Sequence, residues 1–158
     1  QTIVTLIERL IQRRAVLTID GKGLPVDPGM IGVVCAHVSQ VSAVRERLSA
    51  PLARVFVETS DRFQGLERPL MIVHHPLSGR ADASEFHLDS GRLCVMMSRH
   101  TIACWLVNRG GIEDQLLRYA PVGNRILGID SDEEYQGWQA NLLIIQQLAS
   151  AGRIVRFY

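Results

Sequence analysis

The chain is 158 residues long and 47% hydrophobic, with a formal net charge of +1 at pH 7. Length and apolar content predict one domain, 1–158, with a core of its own. So nearly balanced a charge removes any argument for nucleic-acid binding from a strongly basic surface, without excluding such binding.

In chain order, residues 2–14 predict an amphipathic helix: Ile3, Leu6, Ile7, Leu10 and Ile11 share one stripe, with Glu8, Arg9, Gln12 and Arg13 opposite. Residues 15–20 predict a short strand, and 21–29 a loop by their glycine and proline content. The Gly21-Lys22 pair lacks the Gly-x-x-x-x-Gly-Lys-Ser/Thr surroundings of a phosphate loop and reads as a surface turn. Residues 31–36 predict a buried strand. Ser39 then caps a helix that turns Val41, Val44 and Leu48 inward and Arg45, Glu46 and Arg47 outward. Gln40, read without context, is either a loop amide satisfying backbone groups or a ligand contact.

Residues 55–73, VFVETSDRFQGLERPLMIV, predict a strand, a polar turn and a second strand. Gly65 lets the backbone take a positive φ or come close to a ligand. The apolar run 69–73 shows no alternation, as in a strand covered on both faces of a parallel sheet, so 59–67 is expected at one edge of that sheet. Residues 74–89 read as a polar loop, a nucleic-acid contact or a lid; His74, His75 and His87 lack metal-site spacing. Residues 90–100 predict a helix with Leu93, Met96 and Met97 inward, and Arg92 and Arg99, two turns apart, on nearly one face. Such a pair in isolation is a solvated face, but phosphoryl transfer also requires fixed guanidinium charge. Residues 101–107 predict a strand and 112–119 a helix. A connector over 121–130 and a capping box at Ser131-Asp132-Glu133-Glu134 then open a helix to about 151 whose buried stripe is Tyr135, Trp138, Leu142, Ile145 and Leu148. Residues 154–158 predict an edge strand. Strands alternating with helices give an α/β three-layer sandwich with a mainly parallel sheet.

Cys35, Cys94 and Cys104 sit in apolar runs without Cys-x-x-Cys spacing, which predicts reduced, buried thiols in a cytoplasmic protein. No run of about 18 apolar residues predicts a membrane span. The chain begins at Gln1 without methionine or signal peptide and is expected to be a fragment of a longer protein.

Three of these segments carry a family resemblance. ETSDRFQGLERPLMIV resembles motif V of superfamily 1 helicases, RLCVMMSRH (92–100) resembles their motif VI, and IGVVCAHVSQ (31–40) their motif IV, in the family's order over 31–107. The resemblance implies the second, C-terminal RecA-like domain, a P-loop NTPase-type domain lacking its own phosphate loop. ATP and Mg2+ would then be held mainly by an N-terminal RecA-like domain of the same polypeptide, and the isolated chain would be inactive. By the same resemblance Arg99 would be an arginine finger on the γ-phosphate, Arg92 would assist or brace it, and Gln40, Gly65 and Glu67 would line the nucleotide, Glu67 at the ribose. Thr59, Ser60 and Gln64 would contact single-stranded nucleic acid, DNA by expectation, and no metal ligands are expected within the chain. Both arginines would flank the Gly65 bend at the carboxyl rim of the sheet, facing a gap that the other lobe closes.

The sequence departs from the family at three places. Val41 stands where an arginine commonly reaches the nucleotide, and Arg45 takes that place only if its helix is suitably rotated. Cys94 and His100 replace the usual asparagine and alanine. Residues 119–158 carry no family motif and are expected to be an extension packed on the domain. A degenerate, non-catalytic RecA-like module binding nucleic acid or a protein is the alternative.

Overall fold

Four apolar runs line up as one parallel sheet: β3 (Ile31–Cys35), β4 (Phe56–Thr59), β5 (Arg68–His74) and β6 (His100–Val107), in the order β4-β3-β5-β6. The computed structural model describes residues 1–78, 84–118 and 133–156. They form two compact units, Gln1–His75 with Val95–Val107, and Pro76–Cys94 with Asn108–Tyr158.

The first unit has three layers, built by the two-residue alternation of its strands. Ile31, Val33, Cys35, Val57, Leu70 and Ile72 point to one face, where they pack with Ile3 and Ile7 of α1 (Thr2–Gln12) and Val41 of α2 (Val38–Arg45). Val34, Met71 and Val73 point to the other face, onto Phe63 of the one-turn α3 (Ser60–Phe63) and Met96 of α5 (Ser90–Met97). The strands read as continuous apolar runs because both faces are covered. The fold is therefore α/β with a helix-flanked parallel sheet, as the sequence predicts.

Several elements differ from the prediction. Residues 21–29 are not all loop: β1 (Val16–Ile19) and β2 (Lys22–Pro25) form an antiparallel hairpin, turned by Asp20 and Gly21 at φ 49 and 76. Two successive left-handed residues make a turn whose twist matches paired strands. The polar stretch 74–89 contains a helical turn, α4 (Glu85–Leu88). Helix α5 stops at Met97, not at 100, and His100 already belongs to β6. Its end is satisfied locally: Arg99 Nε donates to the Val95 carbonyl at 3.3 Å, and His100 Nδ1 lies 2.8 Å from the Met97 carbonyl.

The second unit packs α4 with α6 (Ile112–Arg118) and α7 (Glu133–Ser150) around Leu77, Leu88, Ile112, Leu116 and Ile145, with Trp138 and Leu142 against them. Trp138 Nε1 donates to the Leu116 carbonyl at 2.7 Å, so its indole is both packed and hydrogen-bonded. Residues 151–156 form no strand. The connector 121–130 and the residues Ser131 and Asp132 of the expected capping box lie outside the described residues.

Two glycines are fixed by close approach. A Cβ on Gly32 would lie 2.5 Å from Met71 Sδ, 2.9 Å from Phe63 Cζ and 3.1 Å from Arg68 Cγ, and one on Gly137 would lie 1.8 Å from the Leu88 carbonyl oxygen. Gly32→Ala and Gly137→Ala are each expected to destabilise the chain by about 1–3 kcal/mol through overpacking, against the gain that alanine normally brings to a helix or strand. Urea unfolding of the two variants checks this; wild-type stability in either contradicts the packing at that site.

The cysteines are not all buried. Burial pushes the Cys35 thiol up to about 12 and the Cys104 thiol up to about 11, whereas Cys94 is exposed. Since the thiolate is the reacting species, iodoacetamide at neutral pH is expected to label Cys94 in the native chain and the other two only after denaturation. Peptide mass analysis of the labelled chain reads the result, and equal labelling of all three contradicts it.

Candidate functional site

The Gly65 bend lies at the amino rim of the sheet, not the carboxyl rim. After β4 the chain passes along the sheet face through α3 and re-enters at the start of β5. Gly65 takes φ 81 there, with nothing within 4 Å of where its Cβ would stand, so the backbone conformation and not space selects glycine. Gln64, Gly65, Leu66 and Glu67 are all exposed. The β5–β6 pairing begins at Arg68 and His100, and the Arg68 amide donates to the Arg99 carbonyl at 3.0 Å. That bond brings Arg99 beside the Gln64-to-Glu67 bend. Arg99 is half-buried, its guanidinium on the Val95 carbonyl and, through Nη2 at 3.1 Å, on Ser98 Oγ.

Arg68 joins this group although the sequence reading did not single it out. Its stem covers Gly32, its guanidinium carbon sits 4.9 Å from the Phe56 ring centroid, and Nη1 donates to the Glu67 carbonyl at 2.8 Å. The signal was present: a second arginine follows Gly65-Leu66-Glu67 directly, at the first position of the next strand.

Gln40, Thr59 and Ser60 lie at the opposite, carboxyl rim. His37, not Ser39, caps α2: its side chain accepts from the Gln40 amide, while Gln40 Oε1 accepts from the His37 amide at 3.1 Å. That reciprocal pair satisfies two helix-end donors and engages the Gln40 side chain. Val41 is 4% exposed within the core. Arg45 is turned to β4, donating to Glu58 Oε1 at 2.5 Å and to the Val57 carbonyl at 2.7 Å. Ser60 is 1% exposed and its hydroxyl donates to Asp61 Oδ1 at 3.2 Å, whereas Thr59 is half-buried at the start of α3. At the end of β5, desolvation holds His74 below the usual histidine range, helped by His37.

Arg92 belongs to the second unit, and its contacts lie there. Its guanidinium stacks 4.0 Å from the Phe86 centroid, its Nε is 4.0 Å from Asp89 Oδ2, and its amide donates to Asp89 Oδ1 at 3.0 Å. His87 is likewise engaged, its Nδ1 2.6 Å from Ser84 Oγ. Among the described residues no three His, Cys, Asp or Glu side chains gather to hold a metal ion, and no helix is long and apolar enough to cross a membrane.

The amino rim fits a polyphosphate chemically. It offers two half-buried arginines without a carboxylate partner among the described residues, at the start of β5 and β6, next to an exposed bend that glycine keeps free of a Cβ. Among the described residues it gathers no acidic cluster of the kind that holds a divalent cation. Among curated proteins none matches the chain. A family model described as an AAA domain matches residues 1–110, which include all four strands of the parallel sheet. The chain therefore belongs to this AAA domain family, a helicase-associated group related to the P-loop NTPases.

Proposed function

We propose that the chain is the C-terminal motor lobe of an ATP-dependent nucleic-acid helicase or translocase, acting on DNA and completed by an N-terminal RecA-like lobe of the same polypeptide that carries the phosphate loop. The observation that supports this reading is the Arg68–Arg99 backbone bond, which brings the backbone of Arg99 to the start of β5, three residues after the exposed Gly65. ATP with Mg2+ supplies the transferable phosphoryl group, and the partner lobe holds most of both. Arg99 meets the charge that develops on the phosphoryl oxygens: it is permanently ionised, and β6 fixes its backbone before the reaction. Gly65 and Glu67 line the nucleotide, with Glu67 at the ribose. Arg92, held by Asp89 and Phe86, braces the helix that leads to Arg99, and Gln40 acts through the cap of α2. Thr59 and Gln64 contact the nucleic-acid strand, with the buried Ser60 fixing the start of α3 beside Thr59. Rim and strand would be coupled because α3 joins them, both ligands biasing one closure of the two lobes.

The second reading is a non-catalytic module of the same fold. It is favoured by Val41 in the core, Gln40 engaged in a helix cap and Arg45 tied to Glu58, so that none of these three is directed to a nucleotide.

Two measurements test the shared-site reading, and the second separates it from the non-catalytic module. The chain by itself is expected to show no Mg2+-dependent ATP turnover above background, and measurable turnover contradicts the shared-site account. Joined to its phosphate-loop lobe, the protein is expected to turn over ATP, and Arg99→Ala to lower kcat by ~10³ or more with a smaller effect on ATP affinity. Unchanged kcat removes Arg99 from the role of arginine finger, and absence of turnover in the joined wild type favours the non-catalytic module.

A further inference from the structure

We propose that Arg68 is a second phosphate-binding residue of the amino rim, taking the polyphosphate of a nucleoside triphosphate together with Arg99. The inference rests on the nucleotide-site reading above and adds a residue to it. Arg68 and Arg99 are neighbours across the β5–β6 pairing, joined by the 3.0 Å backbone bond. Both are half-buried, and neither faces a carboxylate among the described residues, whereas Arg45, Arg54, Arg62 and Arg92 all do. Arg68 and Arg99 thus stand at neighbouring strands of one rim, each with a partly desolvated charge that no carboxylate among the described residues meets; an anion with several oxygens compensates both.

The local geometry of Arg68 points the same way. Its stem lies over Gly32 and its guanidinium over Phe56, so the head group is placed by packing and not by an ion pair. The Nη1 side is held by the Glu67 carbonyl, and Nε is buried with no acceptor among the described residues. A buried donor without an acceptor is unfavourable, and the Nε–Nη2 edge is the fork that binds two oxygens of one phosphate. The Glu67 carbonyl that holds Nη1 belongs to the exposed Gly65 bend, so the Arg68 head group stands against that bend. The same chemistry would suit a phosphodiester, so nucleotide and nucleic acid must be told apart by experiment.

The test is calorimetric titration of the chain with inorganic tripolyphosphate, and separately with a single-stranded oligonucleotide, at low ionic strength where such contacts are least screened. Arg68→Met keeps the stem that packs on Gly32 and removes the charge; Arg68→Lys keeps charge and length but loses the fork; Arg47→Met is the control, an exposed arginine bonded only to the Ala43 carbonyl. Arg68→Met and Arg99→Met are each expected to weaken tripolyphosphate binding about tenfold, Arg68→Lys by less, and Arg47→Met not at all. Loss with Arg99→Met but not with either Arg68 variant overturns this inference and leaves Arg99 in place. Loss with Arg68→Met but not Arg99→Met overturns joint binding with Arg99 and leaves Arg68 as a phosphate contact by itself, the arginine-finger role being decided by kcat. No tripolyphosphate binding by the wild type, equal loss in the control, or an Arg68 effect confined to the oligonucleotide also overturns the inference.

Discussion

Gly32, in the central strand of the parallel sheet, leaves a hole where a side chain would stand, and three other residues fill it. Met71, Phe63 and the stem of Arg68 all come within 3.1 Å of the position its Cβ would take. Seating Phe63 there anchors the short connection 60–67 to the sheet face, with Phe56 packed edge-on at 5.0 Å. The chain therefore leaves the carboxyl end of β4 and re-enters at the amino end of β5 with only one helical turn between. The bend this forces is what requires a left-handed residue at Gly65. Pairing of β5 with β6 then delivers Arg99 to the same place. Packing in the core thus determines which backbone and which cations meet at the rim.

The two ends of the sheet differ electrostatically. At the carboxyl end, Arg45 and Arg62 face Glu58, and the amide of Gln40 closes a cap with His37. Those groups are already paired. At the amino end Arg68 and Arg99 stand without acidic partners among the described residues, fixed by backbone carbonyls, a serine hydroxyl and an aromatic face. A polyanion meeting the second end would displace no ion pair among the described residues.

Much of this was legible in the sequence. Each parallel strand is a run of β-branched and aliphatic residues, and 31–36 and 69–73 admit little else. The stripe Ile3, Ile7, Ile11 places α1 on the sheet, and Gly65 announces its own φ. The hairpin β1–β2 was hidden because all of β2 is exposed and rich in glycine and proline; its signal was the Asp20-Gly21 turn, not apolar periodicity. The end of α5 carries no glycine or proline, and the helix stops because Arg99 and His100 satisfy its last carbonyls, a contact that residue spacing does not reveal. The cap of α2 is a histidine two residues ahead of the serine that resembles one. Which rim the Gly65 bend occupies depends on the path of 60–67 across the sheet, and that path is set by Phe63 meeting Gly32, residues distant in sequence.

The account stands on the amino rim being where a nucleotide is met. Backbone amide chemical shifts of the chain, followed while a non-hydrolysable ATP analogue is added in the presence of the phosphate-loop lobe, test that directly. The account predicts that the shifts in this chain concentrate at Gly65, Leu66, Glu67, Arg68 and Arg99. Shifts concentrated instead at His37, Gln40 and Thr59, with the amino rim unmoved, would contradict it.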